Sequence, residues 1–146
     1  MSKGKKSSKV SSKVFSFTPG VTKKEKNKRA KYLSKRINNL FSEISEWVED
    51  LDEYTLKKTS VNVDGEKLPA LDIFSGKNSL VKIRPVGLFA FGVNCRLDIV
   101  SKKETNVLFD IAKESAKPDW QLISSEAGKK PKKLTKMIFR NLLKTL

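Results

Sequence analysis

Leu33, Ile37, Leu40, Phe41, Ile44, Val48 and Leu51 recur at spacings of three and four. Residues so spaced stack on one side of a helix, so these seven form a single apolar stripe. Just ahead of them, Thr22-Lys23-Lys24-Glu25 has the form of a capping box. Thr22 would cap the first turn and Glu25 would reach back to the cap's own N–H. No Gly or Pro interrupts the pattern until well past Tyr54. The spacing predicts a helix from about Lys23 to Tyr54. A helix of that length must lay its stripe against a second layer, and this requirement governs the rest of the fold.

After Tyr54 the hydrophobic period changes to two. Thr59, Val61 and Val63 alternate with polar residues, and Asp64-Gly65 is a hairpin turn signal. A return strand is expected from Leu68 to Phe74, with Pro69 pointing to an edge position or a bulge. Ser75-Gly76-Lys77-Asn78 is a further turn. Leu80–Arg84, Leu88–Val93, Cys95–Val100 and Val107–Ile111 all read as strands, with a polar loop at Lys102-Lys103-Glu104-Thr105. Trp120, Leu122 and Ile123 form a last strand or an anchoring segment. Alternation assigns faces. Val81 and Ile83 oppose Lys82 and Arg84; Cys95, Leu97 and Ile99 oppose Arg96 and Asp98; Val107, Phe109 and Ile111 oppose Asn106 and Asp110. An antiparallel sheet with one apolar and one polar face fits this pattern.

The expected fold is α+β: an antiparallel sheet of about five to six strands, with the long N-terminal helix and a short C-terminal helix packed on one face. A helical turn is expected near Ala112–Lys117. Residues 124–133 read as a Gly/Lys/Pro linker to the C-terminal helix, Leu134–Leu146. That helix is too short to be stable alone and must dock. Leu134, Ile138, Leu142 and Leu143 lie on its apolar side, and Ile138 and Leu142 are the candidate partner contacts if the helix docks on another protein and not on the chain's own sheet. Residues 1–21, rich in Ser, Lys and Gly, read as a disordered arm, because such a tract buries too little apolar surface to offset its ordering entropy. Residues 22–146 then form a single domain.

Charge is distributed as unevenly as hydrophobicity. The first 36 residues hold 13 Lys or Arg against one acid, Glu25, and so carry +12 of the net +15. A concentrated positive field attracts polyanions in a salt-dependent way. Lys24, Lys28, Lys31 and Lys35 stand at spacings of 4, 3 and 4, nearly opposite the apolar stripe. Arg29 and Arg36 flank them, and Lys23 adds to the basic end of the helix as a further candidate. Further along, the same exposed side turns acidic at Glu46, Glu49 and Glu53. This order opposes the helix macrodipole, which favours acids at the start and bases at the end. It points to a basic end wanted for a partner. Lys82, Arg84 and Arg96 on the polar face of the sheet are a second candidate surface. Asp72 and Asp98 lie among them; two carboxylates beside basic residues are a weak signal for Mg²⁺, and cross-strand ion pairs with Arg84 and Arg96 explain them as well.

Several chemistries are excluded or disfavoured. There is no histidine and one cysteine, Cys95, which removes Ser-His-Asp and Cys-His catalysis and leaves zinc and haem without their usual ligands. Cys95 falls on the apolar side of its strand and reads as a core residue. No Walker loop, GxGxxG, GxSxG, CxxC or EF-hand pattern occurs. No cofactor and no enzymatic activity are expected. The basic N-terminus is not followed by the apolar run of a secretory signal, and no run approaches the length of a membrane span. The expected location is cytoplasmic, or nuclear in a eukaryote. The sequence thus predicts a small accessory protein that binds a polyanion, foremost nucleic acid, with low sequence specificity. The competing class is a protein-interaction module, such as an inhibitor, immunity protein or complex subunit, that grips an acidic protein surface.

Overall fold

The computed structural model describes residues 20–90, 92–124 and 130–146. Nearly all of the expected basic arm, Phe91 of the expected Leu88–Val93 strand, and residues 125–129 of the expected linker lie outside the described residues. Helix α1 spans Lys23–Val48. Seven strands follow: β1 Tyr54–Val63, β2 Glu66–Ser75, β3 Asn78–Pro85, β4 Cys95–Val100, β5 Thr105–Asp110, β6 Trp120–Ile123 and β7 Lys132–Lys133. Helix α2, Lys136–Thr145, closes the chain. The strands form one sheet in chain order, every neighbouring pair antiparallel, so the topology is an uninterrupted meander. Local contacts of this kind need only short turns. The Asp64-Gly65 turn places both residues at positive φ, 51° and 85°, as a two-residue hairpin with a primed turn requires.

The apolar stripe of α1 is buried against the sheet. Leu33, Ile37, Leu40, Phe41 and Ile44 pack with Leu71 and Ile73 of β2, Val81 and Ile83 of β3, Leu97 and Ile99 of β4, and Leu108 of β5 in one core. Helix α2 lies on the same face. Its Phe139 and Leu143 enter the core, and the Phe139 ring stands 5.9 Å from that of Trp47 on α1. The fold is therefore the α+β two-layer arrangement expected, with seven strands in place of five or six. The extra strand is β7, formed within the segment read as a linker. Gln121 and Leu122 pair with Lys133 and Lys132, which extends the sheet by two residues at its edge.

Four local expectations are corrected. Helix α1 ends at Val48 and not near Tyr54, and the chain leaves through turns in which Leu51 N donates to Val48 O. Glu49, Asp50, Asp52 and Glu53 crowd this end, where the macrodipole disfavours acids. Leu88–Val93 is an excursion and not a strand, with only the Ala90–Val93 bridge among its described residues. Gly87 and Gly92, at φ 110° and 76°, take the chain out of the extended region. Residues 112–117 form turns and no helix, with Ser115 at φ 67°. The faces of β5 are the reverse of those expected. Asn106, Leu108 and Asp110 are buried, while Val107 and Phe109 are half-buried on the other face and Ile111 is exposed. The buried carboxylate of Asp110 has a specific partner, which explains the reversal.

Candidate polyanion-binding surface

The N-terminus of α1 is fixed by its cap. Thr22 Oγ1 accepts from Glu25 N and Glu25 Oε1 accepts from Thr22 N, both at 3.1 Å, so the capping box is complete. This sets the phase of the first turns. Because Leu33 and Ile37 are buried, the residues on the opposite side of the cylinder face solvent. Lys24, Lys28, Lys31 and Lys35 are all exposed there, and Lys23, exposed at the first position of the helix, points to a different side. Among the described residues none of the five has an ion-pair partner.

Arg29 and Arg36, expected beside the lysines, turn inward instead. Arg29 donates from Nε to Leu88 O at 2.9 Å and from Nη2 to Asn94 O at 2.6 Å, and its Nη1 meets the Glu114 carboxylate at 3.2 Å. Arg36 is 6% exposed. Its Nε donates to Asp110 Oδ2 at 2.6 Å and its Nη1 to Ala116 O at 2.7 Å. Asp110, wholly buried, accepts at Oδ1 from the backbone N–H of Ala112 and of Asp119. Asn94 donates to Ala112 O and Lys113 O, and the Tyr32 hydroxyl accepts from Ser115 N. The Tyr32 ring lies 5.1 Å from each guanidinium. Together these groups bind the 86–94 excursion and the 111–119 loop to the N-terminal half of α1. A buried charge must be paired in this way, because desolvation otherwise costs several kcal/mol, about 3–5 when one partner is removed.

The clamp has a consequence for the surface. It holds the 111–119 loop, with exposed Lys113 and Lys117, along one flank of α1. On the other flank Lys67 of β2 shares a shallow groove with Asn27, Lys31 and Ser34. Sequence spacing gave no sign of these three lysines, because they join the helix only through tertiary packing.

Lys82, Arg84 and Arg96 occupy the opposite side of the molecule. They alternate with core residues on β3 and β4 and project from the face of the sheet that α1 does not cover. The two candidate surfaces thus lie on opposite sides of the sandwich. Arg84 pairs with Asp72 across β2 and β3 at 3.0 Å and also donates to Thr59 Oγ1. Arg96 pairs with Asp98 two residues along its own strand, at 3.0 Å, and lies 6.0 Å from the Phe109 ring. The sheet face therefore mixes both signs of charge, while the stripe Lys24–Lys35 carries one. Both aspartates are engaged by arginine, and among the described residues no group of three His, Cys, Asp or Glu is placed to hold a metal ion.

Ile138 and Leu142 are half-buried against the chain's own core, so α2 docks within the domain. Arg140 reinforces this, reaching Asp50 at 3.4 Å and Trp47 O at 3.5 Å. The outer parts of Ile138 and Leu142 line a groove of about 210 Å³ with Leu122, Lys130 and Lys132. Cys95 is 1% exposed, and burial, followed by the nearby Asp110 charge, pushes its thiol up to about 12. It stays protonated at neutral pH, which is the behaviour of a packing residue. No described helix is long and apolar enough to cross a membrane. Comparison with protein-family models, curated proteins and solved structures finds no match.

Proposed function

We propose that this chain is a small non-catalytic accessory protein that binds a polyanion, foremost nucleic acid, through the outer face of α1 together with the basic segment that precedes it. One observation carries the reading: Lys24, Lys28, Lys31 and Lys35 form an exposed stripe in which no lysine has an ion-pair partner among the described residues. Lysines held as unpaired cations on a rigid helix present charge to a phosphate backbone with little reorganisation. Lys67, Lys113 and Lys117 widen the same field.

The side chains also suggest the mode of binding. Base recognition in the major groove relies on the planar, bidentate arginine fork. Arg29 and Arg36 spend their forks on Leu88, Asn94, Glu114, Asp110 and Ala116. What α1 offers outward is lysine, a point charge that fixes position without reading sequence. Binding is accordingly of low sequence specificity and steeply salt-dependent. The sheet face is the weaker candidate, since Asp72 and Asp98 offset Arg84 and Arg96 there.

The test is binding of unrelated single- and double-stranded oligonucleotides across a salt series. Similar affinities that fall steeply with salt support the proposal. Flat salt dependence, or affinity unchanged on deleting residues 1–21, refutes it. A pull-down with and without nuclease then separates nucleic-acid bridging from direct contact with an acidic protein, the competing reading.

A further inference from the structure

The solvent face of α1 continues beyond its lysines. Along the side away from the core run Lys24, Lys28, Lys31, Lys35, Asn38, Asn39, Ser42, Glu46 and Glu49, all exposed. The first half is basic, the centre neutral and polar, and the last part acidic. Glu49, the C-cap, keeps helical φ and ψ of −55° and −39°, so the row stays in phase to its end. Glu46 and Glu49, like the lysines, have no ion-pair partner among the described residues. Within one helix the two blocks cannot pair, because Lys31 and Glu46 stand about 22 Å apart along the axis. The order also runs against the macrodipole: the first turn holds one acid, Glu25, and the last turn no base.

We infer that this face docks on a second copy of itself, with the two α1 helices antiparallel about a two-fold axis at Asn38 and Asn39. In that register Lys35 meets Ser42, Lys31 meets Glu46 and Lys28 meets Glu49 of the other copy, and each contact occurs twice. The pattern is self-complementary, as an isologous interface requires. A parallel arrangement would set lysine against lysine and is disfavoured. The apolar stripe plays no part, since it is committed to the core. One polar helix pair buries less than the ~1,200 Å² of a stable complex, so the association is weak and weakens with salt. The same lysines serve the polyanion reading, so copy and polyanion exclude one another on this face. The inference itself rests only on the helix.

Sedimentation of the full-length protein, freed of nucleic acid and at low salt, tests it. The wild type should self-associate reversibly. Lys28→Glu/Lys31→Glu makes both pairs of contacting positions, 28/31 and 46/49, acidic, and Glu46→Lys/Glu49→Lys makes both basic. Each variant alone should associate at least about tenfold more weakly than wild type. Their equimolar mixture should recover association as a heterodimer. Both variants keep a basic overall charge, so attraction between them reports the helix pattern and not net charge. A wild type that remains monomeric at millimolar concentration, variants that associate as well as wild type, or a mixture no stronger than its components would each overturn the inference. Oligonucleotide affinity, measured separately, carries the polyanion reading alone.

Discussion

Arg36 and Asp110 are the residues whose pairing most shapes the surface. Asp110 pairs with a buried guanidinium at its Nε and accepts from two backbone N–H groups at once, so Asp110→Ala leaves a charge without its counter-ion inside the molecule. The expected loss is about 3–5 kcal/mol in urea unfolding. Replacing both residues with apolar side chains of similar volume should cost much less. Cys95 supplies a pH test. Its thiol is raised from 9.0 to about 12 in the folded state, so the unfolded chain ionises first. The stabilisation is complete below pH 9 and is lost as pH rises towards about 12. Cys95→Ala should flatten the alkaline limb of a stability–pH curve, and the wild-type thiol should resist aromatic disulfide reagents at pH 8 until the protein unfolds. The Arg36–Asp110 pair was not legible in the sequence. Helical spacing puts Arg36 at the margin of the stripe, where solvent and core are equally near. Only the conflict on β5, where burying Val107 and Phe109 would have exposed Leu108, hinted that the carboxylate faced inward.

At the scale of elements, α1 and the strands of the meander were legible because burial on one face imposes a period, and the period survives in the sequence. What escaped was structure fixed by tertiary partners, the two-residue β7 and the 86–94 excursion pinned by Arg29, and the end of α1, where a local cluster of acids outweighs the continuing apolar period. Thr22→Ala removes the cap and should cost about 1 kcal/mol, read as a lower denaturation midpoint. Phe139 makes a sharper test. The apolar spacing of α2 marked Leu134, Ile138, Leu142 and Leu143, of which Leu134 and Leu143 are buried, yet Phe139, outside that set, is the residue with no exposure. Phe139→Ala should destabilise the domain by about 3–5 kcal/mol. Ile138→Asp and Leu142→Asp should cost less, since both side chains remain half in solvent, and a fully folded variant that had lost a protein partner would favour the interaction-module reading. Equal losses at all three positions would contradict the docking of α2 described above.

For the whole molecule, the sandwich keeps its two candidate basic surfaces on opposite sides. The lysine stripe lies on the helical side and Lys82, Arg84 and Arg96 on the sheet side, with the core between them. A ligand held by one surface does not meet the other without wrapping around the domain. Variants on the two sides should therefore act independently, with additive effects on binding free energy. The most direct measurement of the central claim is the slope of log affinity against log salt for a fixed oligonucleotide, comparing wild type with the variant in which Lys24, Lys28, Lys31 and Lys35 are all Gln. Each lost phosphate contact should flatten the slope by about 0.7–0.9. The helix variant should flatten the slope by about three and bind every sequence more weakly alike, while the Gln variant of Lys82, Arg84 and Arg96 should keep the wild-type slope. An unchanged slope in the helix variant, or the larger change in the sheet variant, would contradict that claim.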